Sequence, residues 1–377
     1  MGIKLIDRLR KIINNRPVIN HYNTTYSKNA LIIYVVEPFK IKEISSRHSN
    51  QTECISIAKI LSSLGYNIDI YNHDYSFPVQ TKKYDVVFGM GMLFERLVKN
   101  RSLNCLYIYY GTGSAFYFQN IEELKRINEI AKLKSVYLAP KRFIKNPKFY
   151  ALTYSDALIV IGNEVTKKSY DLVSLPIHMI SQSVIKNEIT ITRQVNEAKK
   201  NFLWFGSHGA LHKGLDLCLD SFESTPELQL HVCGYLDPDF MRLYIDKLNL
   251  ANVHVYGFVD IKSELFTQLM NTCLFSLLPS CSEGEAGALL NTMLQGLIPV
   301  TTHQSGIDVL NYGYVVDNTT SKHSLHKAIQ RAISTSDNKL ISQSDSCIHY
   351  IKKYFSIDNY EYNLKSILIK ILGSSDG

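Results

Sequence analysis

With 377 residues, 45% of them hydrophobic and 20% charged, the chain can bury more than one core, and no long biased tract argues for disorder. Its formal charge of +7 is unevenly spread: residues 1–185 hold 25 Lys/Arg against 14 Asp/Glu, and residues 186–377 hold 16 against 20. No apolar run reaches the ~20 residues of a membrane span, and seven scattered cysteines without a CxxC pair argue against a disulfide framework.

Residues 1–16, MGIKLIDRLRKIINNR, read as an amphipathic helix with Ile3, Ile6, Leu9 and Ile13 on one face and five basic residues around the rest. Such a helix can lie in a membrane interface. It offers no continuous apolar h-region, so no secretory signal is expected and the chain reads as cytoplasmic. ALIIYVVEPF (30–39) is an apolar strand of the kind buried on both faces. A polar loop leads to a helix at 52–64, then the strand YNIDIYN after Gly65. Further strands fall at 84–91, 103–113, 155–163 and 177–184. A helix at 120–134 carries acids first and bases last, as the helix dipole prefers.

Residues 186–200 are polar and show no apolar period, so they read as an interdomain linker. The pattern then restarts. Strands are expected at 201–207, 228–234, 252–259, 274–278, 298–303 and 312–317, with helices at 215–222, 238–248, 263–271, 288–296 and 321–334. A helical stretch at 340–373 breaks near Phe355. Alternation of this length predicts two parallel-sheet α/β domains. The divisions are 1–185, the linker 186–200, a second domain 201–345 and a helical segment 346–377.

Three stretches carry candidate chemistry. PSCSEGEAGALLNTMLQGLIPV (279–300) runs strand, small-residue loop, helix, strand, and Glu283 stands where the loop becomes the helix. Free amides around Gly284, Glu285, Ala286 and Gly287 at a helix start suit an anion such as a phosphate. A carboxylate beside them suits hydroxyl donors, as on a sugar. FGSHGALHKGLDL (205–217) places Ser207, His208 and Lys213 on a loop after a strand, where Lys213 is suited to neutralise a diphosphate. His208 and His212 have i, i+4 spacing but no third ligand nearby, so no metal is expected. KSVYLAPKRFIKNPKFYA (134–151) interleaves Lys134, Lys141, Arg142, Lys145 and Lys148 with aromatics. That mix suits anionic headgroups, and no nucleic-acid motif accompanies it. GMGMLFE (89–95) and GTGSAF (111–116) lack the third glycine of a dinucleotide fingerprint.

Taken in order, FGSHGALHKGLDLCLDSF, HVCG, VYGFVD, SELFTQL and the 279–300 segment resemble the glycosyltransferase B fold (GT-B), and the family 4 (group 1) glycosyltransferases in particular. RHSNQTE in the first half corresponds to that family's Gly-rich loop. The resemblance implies two Rossmann-like domains facing a central cleft, with C-terminal helices packing back on the first domain. It implies transfer of a sugar from a nucleotide-diphosphate donor to an acceptor hydroxyl, with retention and without cofactor or metal. Lys213 and Glu283 would be the catalytic pair. Ser207, His208, Phe258, Val259, Gly284, Glu285, Ala286, Gly287 and Asn291 would hold the donor. Ser46, His48 and Asn50 would reach the cleft from the first domain.

Two departures stand out. Asn291 occupies the place of the second acid of the Glu–x7–Glu motif, which holds ribose hydroxyls, and Ser207 and His208 stand where an Arg is expected. Lys213→Ala and Glu283→Ala are each expected to cut turnover by orders of magnitude with the fold intact. The expected pathway is surface polysaccharide or lipopolysaccharide synthesis. The acceptor would be a lipid-linked glycan, met at an anionic membrane surface through residues 1–16 and 134–150. The alternatives are a GT-B sugar-nucleotide 2-epimerase and a non-catalytic partner of an active transferase.

Overall fold

The computed structural model describes residues 15–41, 49–146, 148–309 and 311–373. The first sheet comprises β1 (Lys28–Tyr34), β2 (Tyr66–Asn72), β3 (Val86–Gly89), β4 (Leu106–Gly111), β5 (Ala157–Ile161) and β6 (Ile177–Ile180). They lie in the order β2-β1-β3-β4-β5-β6, all parallel. Ile32 sits in register with Ile70 on one side and Phe88 on the other. Continuous apolar runs suit such central strands because helices cover both faces of a parallel sheet. β1 stops at Tyr34 rather than running on to Phe39. Pro38 supplies no amide for the ladder, and Glu37–Phe39 coil into a 3-10 turn.

The second sheet holds β7 (Asn201–Phe205), β8 (Gln229–Cys233), β9 (Val253–Gly257), β10 (Phe275–Leu278), β11 (Ile298–Thr301) and β12 (Tyr314–Val315). Its order is β12-β11-β10-β7-β8-β9, again all parallel. Phe275 is in register with Phe202 and Ile298, and the two phenyl rings stack at 4.7 Å. Strand order reverses between β7 and β10. The two connections that leave this pair go opposite ways, so a crevice opens at the strands' C-terminal ends, where ligands bind in open α/β sheets.

Several elements differ from the sequence reading. The helix expected at 238–248 is two pieces, Pro238–Leu243 and Ile245–Leu248, divided at Tyr244. The last strand is only two residues long. A helix at Gly91–Lys99, with Leu93, Phe94, Leu97 and Val98 buried, follows β3. The segment 186–200 is no loose tether. Ile189 and Ile191 lean on the second core with Ile185. Arg193 donates to the carbonyls of Met270, Cys273, Gln295 and Gly296. These few isoleucines are masked in the sequence by the polar composition around them.

Two connections tie the lobes. Helix Asp337–Tyr354 packs on the second core through Leu340, Cys347 and Ile351, and the chain breaks at Phe355–Ser356. Helix Ile357–Gly373 then buries Tyr360, Leu364, Leu368 and Ile371 in the first core. There Ser56 donates to Glu361 at 2.8 Å and the hydroxyls of Tyr110 and Tyr360 meet at 3.0 Å. In the other direction, helix Phe116–Lys134 of the first lobe inserts Ile127 and Ile130 into the second core. Beside them Arg126 donates to Asp216 and to the carbonyl of Thr319, wholly out of water.

Candidate active site

Two loops leave the sheet at the reversal point, Gly206–Gly214 after β7 and Pro279–Ala286 after β10, and they close on each other. His212, fully buried, meets the carbonyl of Ser282 through Nε2 and the thiol of Cys281 through Nδ1, the latter at 3.5 Å. Burial pushes this imidazole down to about 4, so it is neutral at physiological pH and serves as a fastener between loops. The Cys281 amide donates to the His212 carbonyl at 3.0 Å.

The next residue along each loop carries the charge. Lys213 is 5% exposed and Glu283 9%, and the Lys213 ammonium donates directly to Glu283 Oε1. Ser280 Oγ donates to the same oxygen at 3.0 Å. Burial alone would raise the Glu283 carboxyl. Lys213, with Arg142 adding to it, outweighs burial and holds it at about 2. The indole of Trp204 on β7 donates to the Lys213 carbonyl at 3.2 Å, fixing the lysine's backbone.

The first lobe closes over this pair. The GTGSAF turn after β4 presses on the Pro279–Ala286 loop, and Ser114 Oγ donates to the Glu283 carbonyl at 2.8 Å. A Cβ on Gly284 would lie 2.6 Å from the carbonyl oxygen of Thr112 and 2.8 Å from Gly113 Cα, so only glycine allows the lobes this approach. Gln182, after β6, donates its amide to Glu285 Oε2 and its side chain to the Glu285 carbonyl, both at 2.7 Å. Burial pushes the Glu285 carboxyl up to about 8, with Glu53 and Asp308 reinforcing it. Ser49, which precedes the first helix of the first lobe, touches the same Gln182 at 3.5 Å.

Lys213, Glu283, Gly284, Glu285, Ala286 and Gly287 thus come together. Two of the turn's amides are already engaged: Glu283 N donates to Gln304 and Ala286 N to Ser305. Asn291, one turn into helix Gly287–Leu294, donates to the Gly287 carbonyl at 2.8 Å. Its Oδ1 is buried without a partner among the described residues. Ser207 and His208 are exposed at the end of β7, with the His208 ring 4.4 Å from Tyr235. Beyond β9, Phe258 is exposed and Val259 is buried. Asn50 begins helix Asn50–Ser63, whereas Ser46 and His48 lie outside the described residues.

The buried ion pair adds a cost to one expectation. Lys213→Ala or Glu283→Ala leaves the partner's charge uncompensated out of water, so each change should also destabilise the fold, by about 3–5 kcal/mol. The segment 134–150 also differs from its reading as a free basic face. Lys134 lies over the Tyr244 ring at 4.8 Å, Lys141 pairs with Asp237 at 3.5 Å, and Arg142 faces Glu283 at 3.9 Å. Three of its five cations are therefore turned to the second lobe. The sequence reading missed Arg142, Gln182 and Ser114 at the site. They belong to the first lobe, and only the tertiary fold brings them there. The small residues of GTGSAF were the one local signal, since they permit close backbone approach.

The two parallel α/β lobes have the GT-B architecture. Residues 187–353 match the family described as "Glycosyl transferases group 1". That match spans the second lobe, with Lys213 and Glu283. The whole chain is similar in fold to a sucrose-phosphate synthase from Thermosynechococcus elongatus. That alignment has a TM-score of 0.62 at 12% identity and covers 92% of this chain and 100% of that one. WaaG, a glycosyltransferase involved in lipopolysaccharide biosynthesis, aligns with a TM-score of 0.54 at 15% identity, covering 89% and 98%. HepE from Anabaena, solved with UDP and glucose, aligns at 0.57 and 11% identity, covering 91% and 99%. No curated protein matches the chain.

Proposed function

We propose that the protein transfers a sugar from a nucleotide-diphosphate sugar to an acceptor hydroxyl, with retention at the anomeric carbon. The observation that carries this reading is the meeting of Lys213 and Glu283 from two loops at the sheet's reversal point. As the sugar–phosphate bond breaks, negative charge grows on the leaving diphosphate. A lysine held in a dry site stabilises that charge more than it could in water. Free amides of the Gly284–Gly287 turn would add donors at the helix start. Glu283, kept ionised by its neighbours, accepts hydrogen bonds from sugar hydroxyls and orients the reacting carbon. Asn291 Oδ1 would accept from a ribose hydroxyl, without the charge assistance a carboxylate gives. Cationic side chains and amides carry the charge in this scheme, which calls for no resident cofactor.

The pathway we favour is synthesis of a surface polysaccharide or lipopolysaccharide on a lipid-linked acceptor, at the inner face of the cell membrane. The +11 balance of residues 1–185 supports an anionic surface. Within 134–150, however, only Lys145 and Lys148 are left for it, which puts the weight on residues 1–16. Of these, 1–14 lie outside the described residues. Among the described residues, no helix is long and apolar enough to cross a membrane.

Thermal shift with UDP-, GDP- and dTDP-sugars tests the donor reading: one donor class should raise the melting temperature and release its nucleoside diphosphate when acceptor is present. Binding without turnover would favour the non-catalytic partner, for which Asn291 is the motivating residue. No shift with any donor would refute sugar transfer by this site. Deleting residues 1–14 and sedimenting with anionic vesicles tests the membrane contact, and unchanged binding would remove that segment from it.

A further inference from the structure

The pair of Lys213 and Glu283 is electrically neutral, so it cannot by itself balance a departing diphosphate. Among the described residues, the cations around it are few. Arg126 is committed to Asp216 and Thr319, and His212 is uncharged. Arg142 remains. It comes from the first lobe, on the strap that follows helix Phe116–Lys134, and that helix holds the strap in place. Glu123 Oε1 accepts the amides of Lys141 and Arg142 at 2.8 and 2.7 Å. Asn120 brackets Ile144, accepting its amide at 2.7 Å and donating to its carbonyl at 3.0 Å. Lys141 anchors the strap to Asp237 and Asp239 of the second lobe.

The Arg142 stem lies across Gly209, where a Cβ would come within 2.5 Å of its Cγ, so the β7 loop is shaped to admit it. Its guanidinium ends 3.9 Å from Glu283 Oε2, too far for a hydrogen bond. Nε is buried with no partner, and the group donates no hydrogen bond among the described residues. A planar fork of donors beside an ion pair, with Nε buried and unpartnered and the rest of the group partly open, fits a ligand rich in anionic oxygens.

We propose that Arg142 is the second cation of the donor diphosphate, supplied across the cleft by the first lobe. The second lobe's loop, with Ser207 and His208 at its tip, supplies no further cation besides Lys213. The site is then complete only while the strap is seated, and the leaving group is held by both lobes at once. This rests on the sugar-nucleotide reading above.

Isothermal titration of the full chain with UDP, GDP and dTDP, and with the matching nucleosides, tests it. For the diphosphate that binds, R142Q should weaken affinity about 10- to 100-fold, and R142K should recover part of the loss. Nucleoside binding should stay at the wild-type level and melting temperature should fall little, because the guanidinium donates no hydrogen bond among the described residues and lies only at ion-pair distance from Glu283. Diphosphate affinity of R142Q within about two-fold of wild type would overturn the assignment and leave the donor reading standing. So would an equal loss for nucleoside and diphosphate, since that marks a structural role. Wild-type protein that binds none of the three diphosphates would refute both readings together.

Discussion

The ion pair between Arg126 and Asp216 measures how firmly the lobes are held. Its side chains are 2% and 4% exposed, and the second arm of the guanidinium is spent on the Thr319 carbonyl. Arg126→Met strands a carboxylate out of water, and Asp216→Leu strands a guanidinium. Removing one member of such a pair costs about 3–5 kcal/mol. If a lobe of about 190 residues melts as the unit, its unfolding entropy is about 0.4 kcal/mol/K, so a loss of 4 kcal/mol lowers the midpoint by about 10 °C. Calorimetry or circular dichroism would read this directly, with urea titration as a second measure. The double variant should recover much of the loss. Two apolar side chains beside Ile127 and Ile130 replace the pair without leaving a charge, and such replacements are often neutral or better. Single variants that lose less than about 1 kcal/mol, or a double variant no better than the sum of the two, would refute the picture of a dry clamp.

Glu283→Gln should keep the shape of the site but lower turnover by about 100-fold or more. It should also destabilise the protein because Lys213 loses its counterion. Wild-type turnover in steady-state assays would remove Glu283 from the chemistry. Gly284→Ala drives a methyl into the backbone of Thr112 and Gly113, which cannot yield as a side chain would. A loss of about 1–3 kcal/mol in urea unfolding is expected, together with weaker turnover, and no change would show that the lobes do not meet at that loop. Glu285 sets a pH dependence. Its carboxyl keeps its proton up to about 8 when folded and ionises near 4.5 when unfolded. The folded state therefore binds more protons between those values, and stability falls as pH rises through the window, by at most about 1.4 kcal/mol per unit. Glu285→Gln should flatten that slope in urea titrations at pH 5 and 8, and a slope unchanged by the substitution would count against a protonated Glu285.

Much of this architecture is legible in the order of residues. Apolar runs such as ALIIYVV and FSLL mark central strands because a parallel sheet is covered on both faces, and Gly65 marks the end of its helix. Lys213 and Glu283 are also legible, since each sits where a strand gives way to a helix. What sequence does not reveal is how those positions are used. Nothing local says that Lys213 and Glu283 neutralise each other, nor that His212 is a fastener rather than a ligand. The basic stretch around Arg142 has the composition of a headgroup-binding face. Only the position of helix Phe116–Lys134, whose Ile127 and Ile130 belong to the other lobe's core, turns it inward. Contacts made between lobes depend on two folded surfaces at once, and local patterning records neither.

Helix Ile357–Gly373 fills the first lobe, so that lobe is made well before the helix that seals it. At about 5–20 residues per second, the stretch of about 180 residues between β6 and this helix takes roughly ten to thirty-five seconds to synthesise. Throughout that interval Ile57, Ala58 and Ile180 lack the cover that Tyr360, Leu364 and Leu368 later give them. The nascent lobe must therefore wait with an open apolar seam, a natural client for chaperones, and a stop codon between β6 and Tyr360 damages a lobe that was already synthesised.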